Sequence, residues 1–524
     1  MQSTSLNLRG ADIVARALVR AGTRYVFALS GNHVMSVFDA ALDAGLSLVH
    51  VRHEAAAVHM ADAWGRLTGE AGIALLTGGP GHANGVSALY TALAAESPVV
   101  LLSGHAPLAE LGRGAFQEMR QAEMAAPVAK ASWTVRSADT LGENLGRAIC
   151  LARSGRPGPV HLSLPADVLE ANTDVPLPEA QAFAPVAARS DEPALRNVLS
   201  ALAGATRPLL LAGPAMASAR GRALLAQLRD TTGIPAIAME SPRGVNDPSL
   251  GAFAEVLASA DVVALIGKRI DYTLRFGKAF ARDCRVVDAG EDLDAAAAAE
   301  WLIRAARELS WSRSGWAGEV TSALQYRPAA WSGISSAPEG PLHPLEVCHT
   351  LQKLLAADPE AVLVADGGEF SQWAQSVVTA RHRLINGPAG AIGPGLPMAL
   401  AARLAFPRST VVCVMGDGTC GYHLAELDTA ARYGLPLVAV VGNDARWNAE
   451  YQIQLRTYGR ERAHGCELAP ARYDLACAAL GGHGEWVERA AELPGALERA
   501  AASNRPACVN VRIDGLPAPN LRRS

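Results

Sequence analysis

Short apolar runs, closed by Gly, Asp or Asn, punctuate this chain, and longer stretches with helical spacing lie between them. A bounded run rich in Val, Leu and Ile reads as a strand buried on both faces, the pattern of a parallel sheet. One series of such runs predicts strands at 24–29, 46–51, 72–77, 98–103 and 158–164. A second predicts strands at 208–212, 234–239, 261–267 and 284–289, and a third at 361–366, 410–415, 436–442 and 508–513. Strands alternating with helices predict an α/β chain of three doubly wound, Rossmann-like parallel-sheet domains. Stretches rich in Pro, Gly, Ala and Ser at 175–191 and 327–344 set the expected divisions: 1–180, 192–325 and 343–524. A faint repeat links 89–104 to 427–442, since each reads as a helix, a proline entry and a strand ending in Gly. It fits a duplicated unit in the first and third domains.

Two of these strands end in chemistry. Gly416-Asp417-Gly418 closes the run 410–415, and Asn443-Asp444 closes 436–442. The stretch 422–433 between them has helical spacing and supplies the crossover, so Asp417 and Asn443 stand at the carboxyl ends of two parallel strands. Open α/β sheets bind ligands at that edge. A carboxylate and an amide oxygen there suit Mg²⁺, which prefers hard oxygen ligands and shares them with phosphate groups.

Bulk composition narrows the partners. A chain of 524 residues is too long for one core. Its net charge of −4 offers no general attraction for nucleic acid or an anionic membrane. No run reaches the roughly 18 to 20 apolar residues of a membrane helix, and the first ten residues lack a signal-peptide core. Eight scattered cysteines without metal spacing read as reduced thiols, so a cytoplasmic location is expected.

The Asp417–Asn443 stretch, with 25 residues between the two, resembles the motif of thiamine diphosphate-dependent enzymes. The three-domain order resembles their pyrimidine-binding, central and diphosphate-binding domains, so the likeness spans almost the whole chain. It implies thiamine diphosphate and Mg²⁺ as cofactors, with Asp417, Asn443 and the Ala445 carbonyl as metal ligands and Gly416, Gly418 and Thr419 beside the diphosphate. Gly442 departs from the family pattern, which has a first Asn of a pair there. Glu54, after the strand 46–51, takes the place of the glutamate that shares a proton with the cofactor's aminopyrimidine. Read by position alone, Glu54 is an acid favoured in a helix's first turn.

The same resemblance places Gly79 and Asn84, in the turn after 72–77, beside the pyrimidine. His82 in that turn is not expected to act as a base. The Gly390 carbonyl would hold the pyrimidine, and Ile392 would wedge between the cofactor's rings, where a core Ile is the plain alternative. Gly368, Glu369 and Phe370 would lend backbone N–H groups to the diphosphate. Gln117, within Ala115-Phe116-Gln117-Glu118, resembles the Ala-Phe-Gln-Glu stretch of acetolactate synthases, and benzaldehyde lyase also has a Gln there. Ser30, Asn32, His33, Phe116, Trp447 and Glu450 are candidate pocket residues, although a core Trp and a surface Glu explain the last two equally well.

The expected reaction breaks or makes a C–C bond next to a carbonyl of a 2-oxo acid, aldehyde or acyloin. The family implies a homodimer or homotetramer with active sites at the dimer interface. The central stretch Gly267-Lys268-Arg269-Ile270-Asp271 is similar to that of oxalyl-CoA decarboxylases and 2-hydroxyacyl-CoA lyases, which keeps a coenzyme A reading open. No flavin-contacting pattern is visible, and FAD is not expected. A cofactor-binding scaffold without catalysis, acting as a regulatory subunit, is the alternative from another class.

Overall fold

The computed structural model describes residues 7–186, 191–290, 292–311 and 315–523. It divides into two compact units, up to residue 189 and from 190 onward. In the first, a two-stranded antiparallel ribbon joins β1 (Leu8–Arg9) to β8 (Asn172–Thr173). The main sheet contains β2 (Tyr25–Ala28), β3 (Ser47–His50), β4 (Gly72–Leu76), β5 (Val99–His105), β6 (Ala131–Thr134) and β7 (Val160–Pro165). All its pairings are parallel, in the order β3-β2-β4-β5-β7-β6.

The second unit holds two parallel sheets. Strands β9 (Pro208–Ala212), β10 (Ala236–Ala238), β11 (Val262–Ile266) and β12 (Arg285–Asp288) lie in the order β10-β9-β11-β12. Strands β13 (Val362–Ala365), β14 (His382–Ile385), β15 (Val411–Gly416), β16 (Leu437–Asn443), β17 (His483–Val487) and β18 (Pro506–Arg512) lie in the order β14-β13-β15-β16-β18-β17. Central strands such as β5 and β16 are buried at every position, which is why their sequences read as continuous apolar runs.

Counted from the first strand of each sheet, both six-stranded sheets follow one order, 2-1-3-4-6-5. The repeat legible in the sequence covers the fourth strand of each, β5 and β16, with the helix that precedes it. In both sheets the chain reverses direction of growth between the first and third strands. The carboxyl ends of β2 and β4, and of β13 and β15, are therefore the topological switch points where α/β sheets bind ligands. Strands β6, β14 and β17, which the apolar pattern does not predict, are short and lie at or next to sheet ends. Strands β6 and β17 are only half-buried along most of their length, and β14 is interrupted by Arg383. Among the described residues no helix is long and apolar enough to cross a membrane. All eight cysteines are free thiols.

Candidate active site

In the C-terminal sheet, β15 and β16 pair in a register that sets Gly416 opposite Gly442. Asp417 therefore follows one strand end while Asn443 closes the other. Asp417 is 1% exposed, and its Oδ2 has no hydrogen-bond partner among the described residues. Burial raises its affinity for a proton. Asp444, absent from the sequence-based candidates, lies against it and is raised in the same direction, first by burial and then by the charge of Asp417. Two crowded carboxylates with an unpartnered buried oxygen suit a divalent cation better than water alone. Among the described residues there is no cluster of three His, Cys, Asp or Glu side chains with metal-binding geometry. A cation here would thus complete its shell with neutral oxygens.

Asn443 is held firmly. Its Nδ2 donates to the Ala471 carbonyl at 3.0 Å and to Asn510 Oδ1 at 3.1 Å, while its Oδ1 accepts from the Ala445 N–H at 3.2 Å. That oxygen keeps a second lone pair. Ala445 sits at φ 54°, a left-handed conformation that is costly for a residue with a Cβ. Gly442, the departure from the family's Asn pair, has a steric cause. A Cβ there would lie 2.4 Å from the ring of Phe370 and 2.7 Å from Ile513. The Phe370 ring occupies the space a larger residue at 442 would need.

Gly368 has φ 93° and precedes the helix Glu369–Val377, whose first-turn N–H groups lack intrahelical partners. A Cβ on Gly368 or Gly416 would meet nothing within 4 Å, so the backbone is open toward the cleft at both. The Glu369 side chain instead turns to Arg243 at 3.2 Å and to the Ala518 N–H. Thr419 Oγ1 donates to the Gly416 carbonyl at 3.0 Å. Trp447 covers Gly418 so closely that a Cβ there would come within 2.7 Å of its ring. Tyr422 packs edge-on to Trp447 at 6.2 Å, and Glu450, exposed, lies on the rim of the same cleft.

Ile392 lines this cleft, on a segment gripped by three side chains. Asp366, fully buried at the end of β13, accepts from the N–H groups of Gly367 at 2.6 Å, Gly393 at 2.9 Å and Gly395 at 2.8 Å. Burial still pushes its carboxyl up to about 6. Asn386 Nδ2 donates to the Ala391 carbonyl at 2.8 Å, and His423 Nδ1 lies 2.8 Å from the Gly393 carbonyl. A Cβ on Gly367 would strike Ile392 at 2.6 Å, so that glycine makes room for the side chain. Gly390, exposed at φ 67°, forms the preceding turn by bonding back to the Gly387 carbonyl.

In the N-terminal unit, Glu54 opens the helix Glu54–Thr68 beyond β3. Its Oε2 accepts from Asn84 Nδ2 at 3.0 Å, which joins two of the sequence-predicted residues. The loop before the helix Pro80–Ala94 is set by Gln121, 1% exposed, another residue the sequence did not single out. Gln121 Oε1 accepts from the Gly79 N–H at 2.8 Å, and its Nε2 donates to the Gly104 carbonyl at 3.0 Å. Gly79 has φ 57°, and a Cβ on it would lie 2.6 Å from the Gln117 carbonyl.

Gln117 itself adopts φ 57° in a loop wound around Glu118, which accepts from the N–H groups of Gly112, Gly114 and Ala115. Those donors hold the Glu118 carboxyl below its ordinary range. His33 stacks on Phe116 at 6.1 Å, with Nδ1 3.3 Å from Thr77 Oγ1. Phe116 is 66% exposed, Asn32 is exposed, and Ser30 Oγ is turned to His50 at 2.9 Å. His82 is fully buried, with Nδ1 2.9 Å from Ser103 Oγ and its ring 4.5 Å from that of His161. Burial pushes His82 down to about 4, so it is neutral at neutral pH.

These two sites coincide with the regions that known proteins share. Residues 8–124 match the family model for the thiamine pyrophosphate enzyme N-terminal TPP binding domain, and 366–511 match its C-terminal TPP binding domain. The chain is 34% identical over 524 residues to a probable acetolactate synthase of Mycobacterium bovis, covering 96% of this chain and 95% of that protein. It is 31% identical over 556 residues to 2-hydroxyacyl-CoA lyase 2 of Bos taurus, covering 93% of this chain and 86% of that protein. Matches over nearly its whole length, with both binding domains present, place this chain among the thiamine pyrophosphate enzymes that cleave or form carbon–carbon bonds.

Proposed function

We propose that this enzyme acts on a small 2-oxo acid, aldehyde or acyloin in the manner of an acetolactate synthase, with Mg²⁺ and thiamine diphosphate bound at Asp417. The observation that carries the metal assignment is the buried, unpartnered Asp417 oxygen beside a second carboxylate. Asn443 and the Ala445 carbonyl complete the protein's ligands, and Gly368, Gly416 and Thr419 line the diphosphate path. Thiamine diphosphate, when bound, would supply a nucleophilic carbon and a cationic ring able to take up an electron pair. Ile392, on the segment held by Asp366, Asn386 and His423, would support the cofactor between its two rings. Glu54 holds the proton at the pyrimidine N1′ and is itself oriented by Asn84. Gln117 and Phe116 face the substrate.

Glu54 and Asp417 belong to different domains, assigned as 1–180 for the pyrimidine and 343–524 for the diphosphate. In this reading one cofactor is shared between two chains of a homodimer or homotetramer in the cytoplasm. Glu54→Gln keeps cofactor but loses C2–H exchange by about 10² to 10⁴-fold. Mixing it with Asp417→Ala chains tests the sharing, because hybrid dimers hold one site with neither defect. Activity reappears on subunit exchange; demonstrated exchange without recovery defeats the shared site. The similarity to 2-hydroxyacyl-CoA lyase 2 favours a second reading, an acyl-CoA lyase. The cations that reading would rely on are Lys268, turned to Asp271 at 3.0 Å, Arg275, bonded to Asn246 at 3.0 Å, and Arg269. Turnover of 2-hydroxyacyl-CoA but not of 2-oxo acids would select it.

A further inference from the structure

The helix Glu369–Val377 turns its N-terminus to the cleft at Asp417, and its first residue is an acid. A carboxylate is stabilised at that end of a helix, where unsatisfied N–H groups carry partial positive charge. It also has the wrong sign for a place that receives phosphate, because two anions then compete for one field. Glu369 is 8% exposed and lines the cleft, so water screens it little. Its Oε2 accepts from Arg243 Nη2 at 3.2 Å and from the Ala518 N–H at 2.5 Å. Of these two partners, Arg243 brings a charge that cancels the carboxylate's own.

Arg243 lies outside the C-terminal sheet, in the turn that follows β10 of the four-stranded sheet. Its segment is pinned on both sides. The Arg243 N–H donates to Ser241 Oγ at 3.2 Å, and a Cβ on Gly244 would strike the Thr273 backbone at 2.1 Å. Pro242 sits 3.7 Å from where a Cβ on Gly390 would be, so the segment runs beside that turn as well. The neighbouring acids Glu240 and Asp247 face Arg383, at 3.1 and 3.9 Å, which leaves Arg243 to Glu369. The Arg243 side chain is 42% exposed. A pair open to water on one side adds little to the stability of a fold, so its consequence is the charge balance of the cleft.

We propose that Arg243 is a positioning residue for the cofactor: by pairing with Glu369 it cancels the carboxylate that would otherwise repel a diphosphate from this helix. The inference rests on the diphosphate path proposed along Gly368 and Gly416. The test titrates the full chain with thiamine diphosphate and Mg²⁺ by calorimetry, at low and at high sodium chloride. Arg243→Met should weaken binding about tenfold at low salt, and salt should narrow that deficit by screening the exposed repulsion. Arg243→Lys keeps the charge and should bind within about threefold of the wild type. Adding Glu369→Gln to Arg243→Met removes the repelling charge and should restore most of the lost affinity, a coupling that the double-mutant cycle measures. Unchanged affinity in Arg243→Met overturns the proposal. So does a loss that neither salt nor Glu369→Gln relieves, which would make Arg243 a direct contact or a purely structural one. A wild-type chain that binds no thiamine diphosphate overturns the reading at Asp417 together with this inference, whereas normal wild-type binding with an unaffected Arg243→Met overturns this inference alone.

Discussion

The two six-stranded sheets share one strand order, yet their switch points hold opposite chemistry. In the C-terminal sheet the first and third strands end in Asp366 and Asp417, both buried carboxylates, with Asp444 beside the latter. In the N-terminal sheet the equivalent strands run into Ser30-Gly31 and Thr77-Gly78-Gly79, backed by the neutral histidines His33, His82 and His161. Topology sets where a ligand goes, and the residues at the strand ends decide which part of it. Carboxylates suit a metal-bound diphosphate, whereas an uncharged loop with Glu54 at its side suits a neutral ring.

Removing Asp417, the proposed metal ligand, should break that division most severely. Asp417→Ala leaves the strands intact but takes away the charged oxygen, so stoichiometric thiamine diphosphate should be lost after dialysis. Cofactor retained at one per chain in that variant would show that the C-terminal switch point does not hold the diphosphate.

A smaller but still large effect is expected at Asp366, whose carboxylate gathers three backbone N–H groups. Asp366→Ala leaves those donors buried and unmatched, a cost of about 2 to 3 kcal/mol. Hydrogen exchange of the segment 391–395 should accelerate and cofactor affinity should fall, while exchange in the N-terminal sheet stays unchanged. Unaltered protection at 391–395 would remove Asp366 from the support of Ile392.

Acid should separate the two sheets by sign. His82 titrates at about 4 in the fold and near 6.5 when unfolded. The unfolded chain therefore binds the extra proton between those values. The contribution of His82 falls by about 1.4 kcal/mol per pH unit as pH drops through that window. Asp366, raised to about 6 by burial from an ordinary value near 3.9, behaves oppositely: its folded form gains the proton, so its contribution rises as pH falls from about 6. Hydrogen exchange of β5 and β13, corrected for intrinsic rates, should thus diverge between pH 7.5 and 5.5. His82→Gln should flatten the acid loss in β5, and an unchanged pH slope there would assign the loss to other groups.

The finest adjustment concerns Ala445. Its positive φ carries a penalty that glycine lacks, so Ala445→Gly should stabilise the loop after β16 by roughly 1 kcal/mol or less, the relief being offset by glycine's greater unfolded freedom. Differential scanning calorimetry would register a raised melting temperature; a lowered one would mean that the Ala445 methyl contributes packing that outweighs its strain.

Much of this arrangement was legible in the chain itself. Buried parallel strands need apolar side chains on both faces, so β4, β5, β15 and β16 announce themselves as continuous runs, and a polar residue closing such a run marks a binding edge. Asp417 and Asn443 stood out in that way, whereas Glu54 was singled out only through the family resemblance. Five short strands were not legible: the two-residue β1 and β8 are too short to show a period, and in β6, β14 and β17 partial burial or an inserted charge relaxes the apolar pattern. What the sequence by itself determined was the α/β class, the duplicated order hinted at by its repeat, and the strand ends that carry chemistry, since each follows from local periodicity. Only the tertiary structure decided that Phe370 forces Gly at 442, that Asp444 crowds Asp417, that Asp366 grips the Ile392 segment, and that Gln121 shapes the Gly79 turn. Those contacts join residues from separate elements, and close packing alone brings them together.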